Sequence, residues 1–374
     1  MSPAAPAHRF AALDSLRGLA ALGVLLHHMP ASNGLATIPL ASAGGLFVDL
    51  FFVISGFVIA ESYGERLANG FSRARFAVLR LGRVLPLHLV MVAAFLALEL
   101  AAWAFGSGGL NLRAPFTGVH SGEHLLRAVL LLDAYIPEKR NYYNGVSWSI
   151  AVELLLYALA ATAFHAGRLG LTVFIALGLG ALVLQLAGVD MLILTNAVQR
   201  GMAGFAAGML CWLLYQRRAG QSLPAPGLLE PLALGLLLLF VWNAERFETA
   251  GLVVVPSALA AFVFAHQAGW LSRLMLLRWP LWLGTVSYSL YMVHVMVMAR
   301  IADLFLLASR HLGLPLASYT WQGETPIKAI DLPLLPALAV QLAMILACAG
   351  VAGLTWRWIE EPARQWSRRL AERL

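Results

Sequence analysis

The sequence predicts an all-α polytopic membrane bundle of about ten transmembrane helices with both termini cytoplasmic, and three observations carry that reading. Of 374 residues, 60% are hydrophobic and only 12% charged, with a mean hydropathy of +0.76, which excludes a soluble globular core. Ten apolar segments are candidate spans: 10–29, 44–63, 84–105, 148–167, 170–188, 193–215, 228–243, 250–268, 281–301 and 335–357. Basic residues alternate with them. Arg66, Arg73, Arg75, Arg80 and Arg83 crowd the second connection, Arg168 lies in the fourth, Arg217 and Arg218 in the sixth, and Arg273 and Arg278 in the eighth. Arg357, Arg364, Arg368, Arg369 and Arg373 flank the end. With an even number of spans, all of these lie on the side of the N-terminus, which the positive-inside rule assigns to the cytoplasm. The net charge of +7 is explained by topology, and no nucleic-acid partner is expected.

The first segment, HRFAALDSLRGLAALGVLLHHMP from His8 to Pro30, is membrane-length yet holds Asp14, Arg17, His27 and His28. A lipid-facing helix would carry these only at a cost of several kcal/mol, so they must face protein or water. The acid and arginine also interrupt the apolar core that a cleavable signal peptide would need. At about 100° per residue, the steps from Arg17 to His28 complete three turns plus roughly 20°, so both lie on one stripe about 16 Å apart. His27 falls off that stripe. Asp14 stands three residues before Arg17, within pairing reach.

The second span, GGLFVDLFFVISGFVIAES, buries Asp49 among Phe47, Phe51 and Phe52, and Gly56 shares its face seven residues on. That glycine invites a second helix or a ligand to approach beside the carboxylate. FAVLRLGRVLPLHLV then places Arg80 and Arg83 on one helical face at the start of the third span, before Pro86. Positive-inside anchoring explains the two arginines as well as anion binding does.

Long connections at 106–147 and 302–334 occupy the opposite face and are rich in Gly, Pro, Asn and Tyr. Within the first, EHLLRAVLLLDAYI is too short to cross and is expected to form an interfacial or re-entrant helix. The fourth span opens NGVSWSIAVELLLYAL, where Ser149, Glu153 and Tyr157 recur every four residues and put a hydroxyl, a carboxylate and a phenol on one stripe. Trp148 suits an interfacial anchor. In the sixth span Arg200 precedes Phe205 and Gly208, about a turn and a half from the start, where a snorkelling arginine would also sit. The ninth, WLGTVSYSLYMVHVMVM, places Gly284, Ser287, Tyr291 and His294 at helical spacing. The last span ends TWRWIEEPARQW, with Glu360 expected at a helix end on the cytoplasmic side. Cys211 and Cys348 both fall inside apolar spans, so neither a disulfide framework nor a metal site is expected.

Taken together, these blocks resemble the acyltransferase 3 family of integral-membrane O-acyltransferases. The opening LDSLRGLAALGVLLHH is similar to that family's arginine and histidine separated by ten residues, here Arg17 and His28. Asp49 before two phenylalanines and a Ser-Gly pair, Arg80 and Arg83 before a proline, and the Trp-Ser-x-x-x-Glu-x-x-x-Tyr string match further blocks in order. So do Arg200, the Gly-x-x-Ser-Tyr-Ser-x-Tyr-x-x-His string and the terminal Glu-x-Pro. The likeness is weakest over 106–140 and 216–270.

The resemblance implies one membrane acyltransferase domain over 1–374 with no separate soluble domain, in the bacterial cytoplasmic (inner) membrane. It implies acyl-CoA, most simply acetyl-CoA, as donor and no metal. The acceptor would be a hydroxyl of a glycan or similar extracytoplasmic molecule. Acyl transfer to an alcohol needs a base, donors for the developing oxyanion and a bound thioester. His28 is the candidate base with Asp49 or Glu153 orienting it, Arg17 holds the donor or stabilises charge as a catalytic group, Arg80 and Arg83 complete the donor site, and Trp148, Ser149, Tyr157, Tyr291, His294 and Arg200 are the candidate substrate contacts. No serine or cysteine stands in a recognisable nucleophile setting, which favours direct transfer over a covalent intermediate. Buried ionisable residues across several spans suit a proton-coupled transporter or flippase equally well, whereas a purely structural membrane protein leaves them unexplained.

Overall fold

The computed structural model describes residues 10–106, 114–136, 143–218, 221–244, 250–322 and 325–374. His8 and parts of the 106–147 connection therefore lie outside the described residues. The chain runs α1 (Ala11–His27), a one-turn α2 (Pro39–Ser42), α3 (Phe47–Ala68), α4 (Arg73–Phe105), α5 (Gly122–Val129), α6 (Trp148–His165), α7 (Gly167–Leu186) and α8 (Asn196–Arg217). There follow α9 (Pro226–Trp242), α10 (Val254–Ala265), α11 (Trp270–Met275), α12 (Arg278–Thr285) and α13 (Ser287–Leu312), then a hairpin of β1 (Ala317–Gln322) and β2 (Thr325–Ile330). The chain closes with α14 (Leu334–Thr355) and α15 (Glu361–Ala371).

Seven helical stretches are long and apolar enough to cross a membrane: Gly44–Ala68, α4, Gly145–His165, α7, α8, α13 and the continuous Leu334–Ala371. This is an integral membrane protein. The remaining three expected spans are helical but shorter or charged. α1 has 17 residues and carries Asp14 and Arg17, while α9 and α10 are apolar with 17 and 12 residues.

Several boundaries depart from the periodic reading, each for a local reason. α4 is one helix of 33 residues, so Arg80 and Arg83 sit within it and not ahead of it. The ninth span breaks at Val286, whose ψ of 5° ends α12 and starts α13, so Gly284 does not share the face of Ser287, Tyr291 and His294. In the segment expected to be interfacial or re-entrant, only the eight residues of α5 are α-helical, and Leu131 then adopts φ 56°. The hairpin departs from an all-α chain and forms an antiparallel pair, Ala317 opposite Ile330. It is tied to the segment after His28, since Ile330 N donates to Pro30 O at 2.9 Å and Ser32 N to Ile330 O at 3.2 Å. Its Lys328 pairs with Asp303 of α13, which Arg300 also engages at 3.0 Å.

Small residues bring the central helices together, as expected of packing in lipid, where there is no hydrophobic drive between helices. A Cβ at Gly56 of α3 would stand 2.1 Å from Phe205 O of α8, and one at Gly208 2.0 Å from Val53 O, so α3 and α8 touch backbone to backbone. Asp49 therefore has a helix beside it, as the Gly56 spacing suggested. α1 is clamped similarly: a Cβ at Gly284 of α12 would lie 2.3 Å from Asp14 O. Glu230 of α9, fully buried, caps α11 by accepting from Gly269 N at 2.7 Å and Ser272 N at 2.9 Å. Met275 O at the end of α11 then accepts from Ser15 Oγ at 2.6 Å. These contacts fix the axial position of the helix that carries Arg17 and His28.

Candidate active site

A pocket opens between α1, α3, α6 and α13. Arg17 enters it from α1, Phe51, Phe52 and Ser55 from α3, Ser149 and Glu153 from α6, and Ser287, Tyr288 and Tyr291 from α13. The four-residue period of α6 thus works as the sequence implied. Ser149 and Glu153 face the cavity, and Tyr157, one turn further, donates to Glu153 Oε1. Ser55 Oγ donates to the same oxygen at 2.9 Å. Ser149 Oγ donates to Tyr291 OH at 2.8 Å, which in turn donates to Val146 O at 3.0 Å.

The carboxylates in this region are held by partners the linear sequence does not reveal. Asp49, only 2% exposed, is gripped by Arg200 in a two-point contact, Nε to Oδ1 at 3.2 Å and Nη2 to Oδ2 at 2.6 Å. Arg200 also donates to Gly45 O at 3.0 Å and lies over the Trp148 ring at 5.2 Å. Arg200 is therefore no interfacial snorkeller, and Trp148 seats its guanidinium. Glu360 is also buried. The chain passes from α14 to α15 through a π-helical turn, Trp356–Glu360, which turns this carboxylate inward to accept from Ser289 Oγ at 2.9 Å. It belongs to the interior rather than to a cytoplasmic helix end.

Three buried arginine Nε atoms, those of Arg17, Arg75 and Arg80, have no hydrogen-bond partner among the described residues. Arg17 has Asp14 and Glu153 among its electrostatic neighbours. Arg80 is fixed instead by rings, with its guanidinium carbon 4.5 Å from the centre of Tyr63 and 5.5 Å from those of Phe76 and Tyr157. Arg83 has Tyr157, Glu360, Glu153 and Asp14 as its electrostatic neighbours. With hydroxyls on Glu153 and Glu360, the Nε donors of Arg17 and Arg80 remain open toward an anion.

His28 stands at the other end of α1, exposed, with Nδ1 3.0 Å from Val24 O and 3.2 Å from Nε2 of the fully buried His294. Neither Asp49 nor Glu153 touches this imidazole, so the expected orienting carboxylate is replaced by a backbone carbonyl and a second histidine. His294 also connects His28 to the cavity, its ring 6.0 Å from that of Tyr291. His27 points away, 3.1 Å from Ala41 O. Cys211 and Cys348 are both free thiols. Ser55, Tyr288 and the inward turn of Glu360 escaped the sequence reading. The Ser-Gly pair was a signal for Ser55, and nothing in the pattern announces a π turn.

The helices thus bring a buried arginine, a carboxylate and several hydroxyls to one largely apolar pocket inside an integral membrane protein. The model of the acyltransferase domain family matches residues 10–359, and the chain belongs to that family. It is 31% identical over 201 residues to "Protein 2 in picA locus" of Rhizobium radiobacter, covering 50% of this chain and 97% of that one. To Acyltransferase MdmB of Streptomyces mycarofaciens it is 29% identical over 161 residues, covering 40% of this chain and 38% of that one. To O-acetyltransferase OatA of Staphylococcus aureus it is 23% identical over 389 residues, covering 94% of this chain and 57% of that one. The chain thus spans little more than half the length of OatA and less than half that of MdmB. No solved structure matches.

Proposed function

We propose that this membrane acyltransferase moves an acyl group, most simply acetyl, from cytoplasmic acyl-CoA to a hydroxyl of a glycan or similar extracytoplasmic acceptor, with His28 as the base. The observation that carries the reading is the polarity of the site along α1. Guanidinium groups gather around the Arg17 end, and an imidazole with a bare edge stands about 16 Å away at the other. The phosphates of acyl-CoA suit Arg80 and Arg83, for which planar guanidinium is the matching donor. The slender pantetheine arm suits the path past Arg17 and Glu153. In this scheme the acceptor hydroxyl gives its proton to His28 Nε2 as its oxygen attacks the thioester carbonyl. The carbon–sulfur bond then breaks, and the departing sulfur takes the proton from His28, leaving an ester and free CoA. Both termini would lie in the cytoplasm and the chain in the bacterial cytoplasmic membrane, as the distribution of arginines supports.

The test is purified protein in detergent supplied with labelled acetyl-CoA and a panel of sugar acceptors, following free CoA. Turnover without any ion gradient is expected, whereas a transporter would need one. In that assay Arg80→Ala combined with Arg83→Ala should raise KM for acetyl-CoA by about tenfold or more, as expected for losing charge-assisted bonds worth roughly 1.5–3 kcal/mol each. The same variant should leave kcat within about threefold, because both residues contact only the distal part of the donor. A fall in kcat with unchanged KM would remove the two arginines from the donor site.

A further inference from the structure

We propose that His294 is the positioning residue of the base: it accepts the Nδ1 hydrogen of His28 and so holds Nε2 of His28 bare toward the acceptor. The inference rests on the reading of His28 as the base. It follows from a hydrogen-bond argument with one consistent solution. His294 Nδ1 lies 3.2 Å from Leu290 O, and carbonyls only accept, so the His294 proton is on Nδ1 and its Nε2 carries a lone pair. That lone pair faces His28 Nδ1 at 3.2 Å, so the hydrogen between the two rings belongs to His28. Val24 O, 3.0 Å from the same nitrogen, requires the same hydrogen. In the reverse assignment a lone pair on His28 Nδ1 would point at the Val24 carbonyl oxygen, which is repulsive. Tautomers are thus set by partners on two helices.

The pair does what a carboxylate does beside a histidine base in water-facing enzymes, at lower burial cost. When His28 takes the acceptor proton at Nε2, both ring nitrogens carry hydrogen, and the Nδ1 hydrogen is shared with a neutral lone pair that is already aligned. His294 itself gains no proton, and Nε2 returns its proton to the leaving sulfur. A neutral acceptor avoids placing an anion deep in the bundle, which would need a counter-charge of its own. The carboxylates that could have served are committed elsewhere, Asp49 to Arg200 and Glu153 to Ser55 and Tyr157. His27 does not compete, because its Nδ1 faces Ala41 O.

The experiment compares His294→Gln with His294→Leu in the acetyl-CoA assay, using the sugar that gives the fastest CoA release. Gln keeps an acceptor oxygen the same number of bonds from the backbone as Nε2, and Leu keeps only bulk. Leu should lower kcat by about 100-fold or more, the scale of a displaced general base, with KM for acetyl-CoA within about twofold, while Gln should stay within about tenfold of wild type. Nitrogen NMR of 15N-histidine-labelled wild type in nanodiscs, assigned with His28→Ala, should show both His28 and His294 as Nδ1–H tautomers. A Leu variant that keeps wild-type kcat, a folded Gln variant as impaired as Leu, or an Nε2–H tautomer at His294 would each overturn the proposal. Wild-type protein that releases no CoA with any acceptor would overturn the acyl-transfer reading and this proposal with it. An active wild type beside an indifferent Leu variant overturns this proposal alone.

Discussion

His28→Ala should lower kcat for acyl transfer by at least about 100-fold, because positioned proton transfer is worth roughly 10² to 10⁴ in rate. KM for acetyl-CoA should stay close to wild type, since the donor's phosphates are assigned to the far end of α1. The fold should survive the change: His28 is the exposed C-cap of α1, and its loss removes hydrogen bonds to Val24 O and His294 only. His27→Ala supplies the internal control. The two rings are adjacent in sequence with centroids 5.0 Å apart, yet His27 turns to Ala41 O and should change kcat by less than about fivefold, because no proton-transfer role is assigned to it. Comparable losses in both variants would mean that the end of α1 matters for packing and not for proton transfer.

Asp49→Ala should cost about 3–5 kcal/mol of stability, the scale for stranding one member of a buried ion pair. Arg200 would be left with only Gly45 O and the Trp148 face at the most tightly packed contact of the bundle, α3 against α8. Arg200→Ala should be nearly as damaging, since it strands a carboxylate whose side chain is 3% exposed. Asp49→Leu combined with Arg200→Met should recover much of the loss, because apolar replacement of a buried pair is often close to neutral. The measurement is the thermal unfolding midpoint in a mild detergent. Single variants as stable as wild type would show that this pair does not hold α3 to α8, and would return Asp49 to the reacting groups.

The parts of the site that were legible in the sequence are those that one helix can encode. Arg17 lies about a turn and a half into α1 and His28 caps its C-terminal end, as their eleven-residue separation along one helix requires. Ser149, Glu153 and Tyr157 share a face because they recur every four residues, and the Tyr157 to Glu153 bond is that period made visible. What was not legible is which groups meet across helices. Arg200 finding Asp49 depends on the close approach of α3 and α8 through Gly56 and Gly208, and a local pattern does not say which helix that approach admits. His294 meeting His28 depends on the break at Val286, which sets where α13 starts. The inward turn of Glu360 needs a π turn, which no hydrophobic period reports. Seven of the ten expected spans are long and apolar enough to cross a membrane, while the charges of α1 and the shortness of α9 and α10 keep length and composition from deciding how those three sit in the bilayer.

Sidedness of the reaction tests the account most directly. Sealed proteoliposomes are prepared in which the face bearing the C-terminal arginines, Arg364 to Arg373, is known from protease access. Acetyl-CoA labelled in the acetyl group is added on that face, with the best sugar acceptor present on both sides. Free CoA should appear on the face that received acetyl-CoA, and labelled ester on the opposite face, because the donor's phosphates stay with Arg80 and Arg83 while the thioester reaches the His28 end. Ester and CoA appearing together on the C-terminal face would contradict delivery of the acyl group across the bundle.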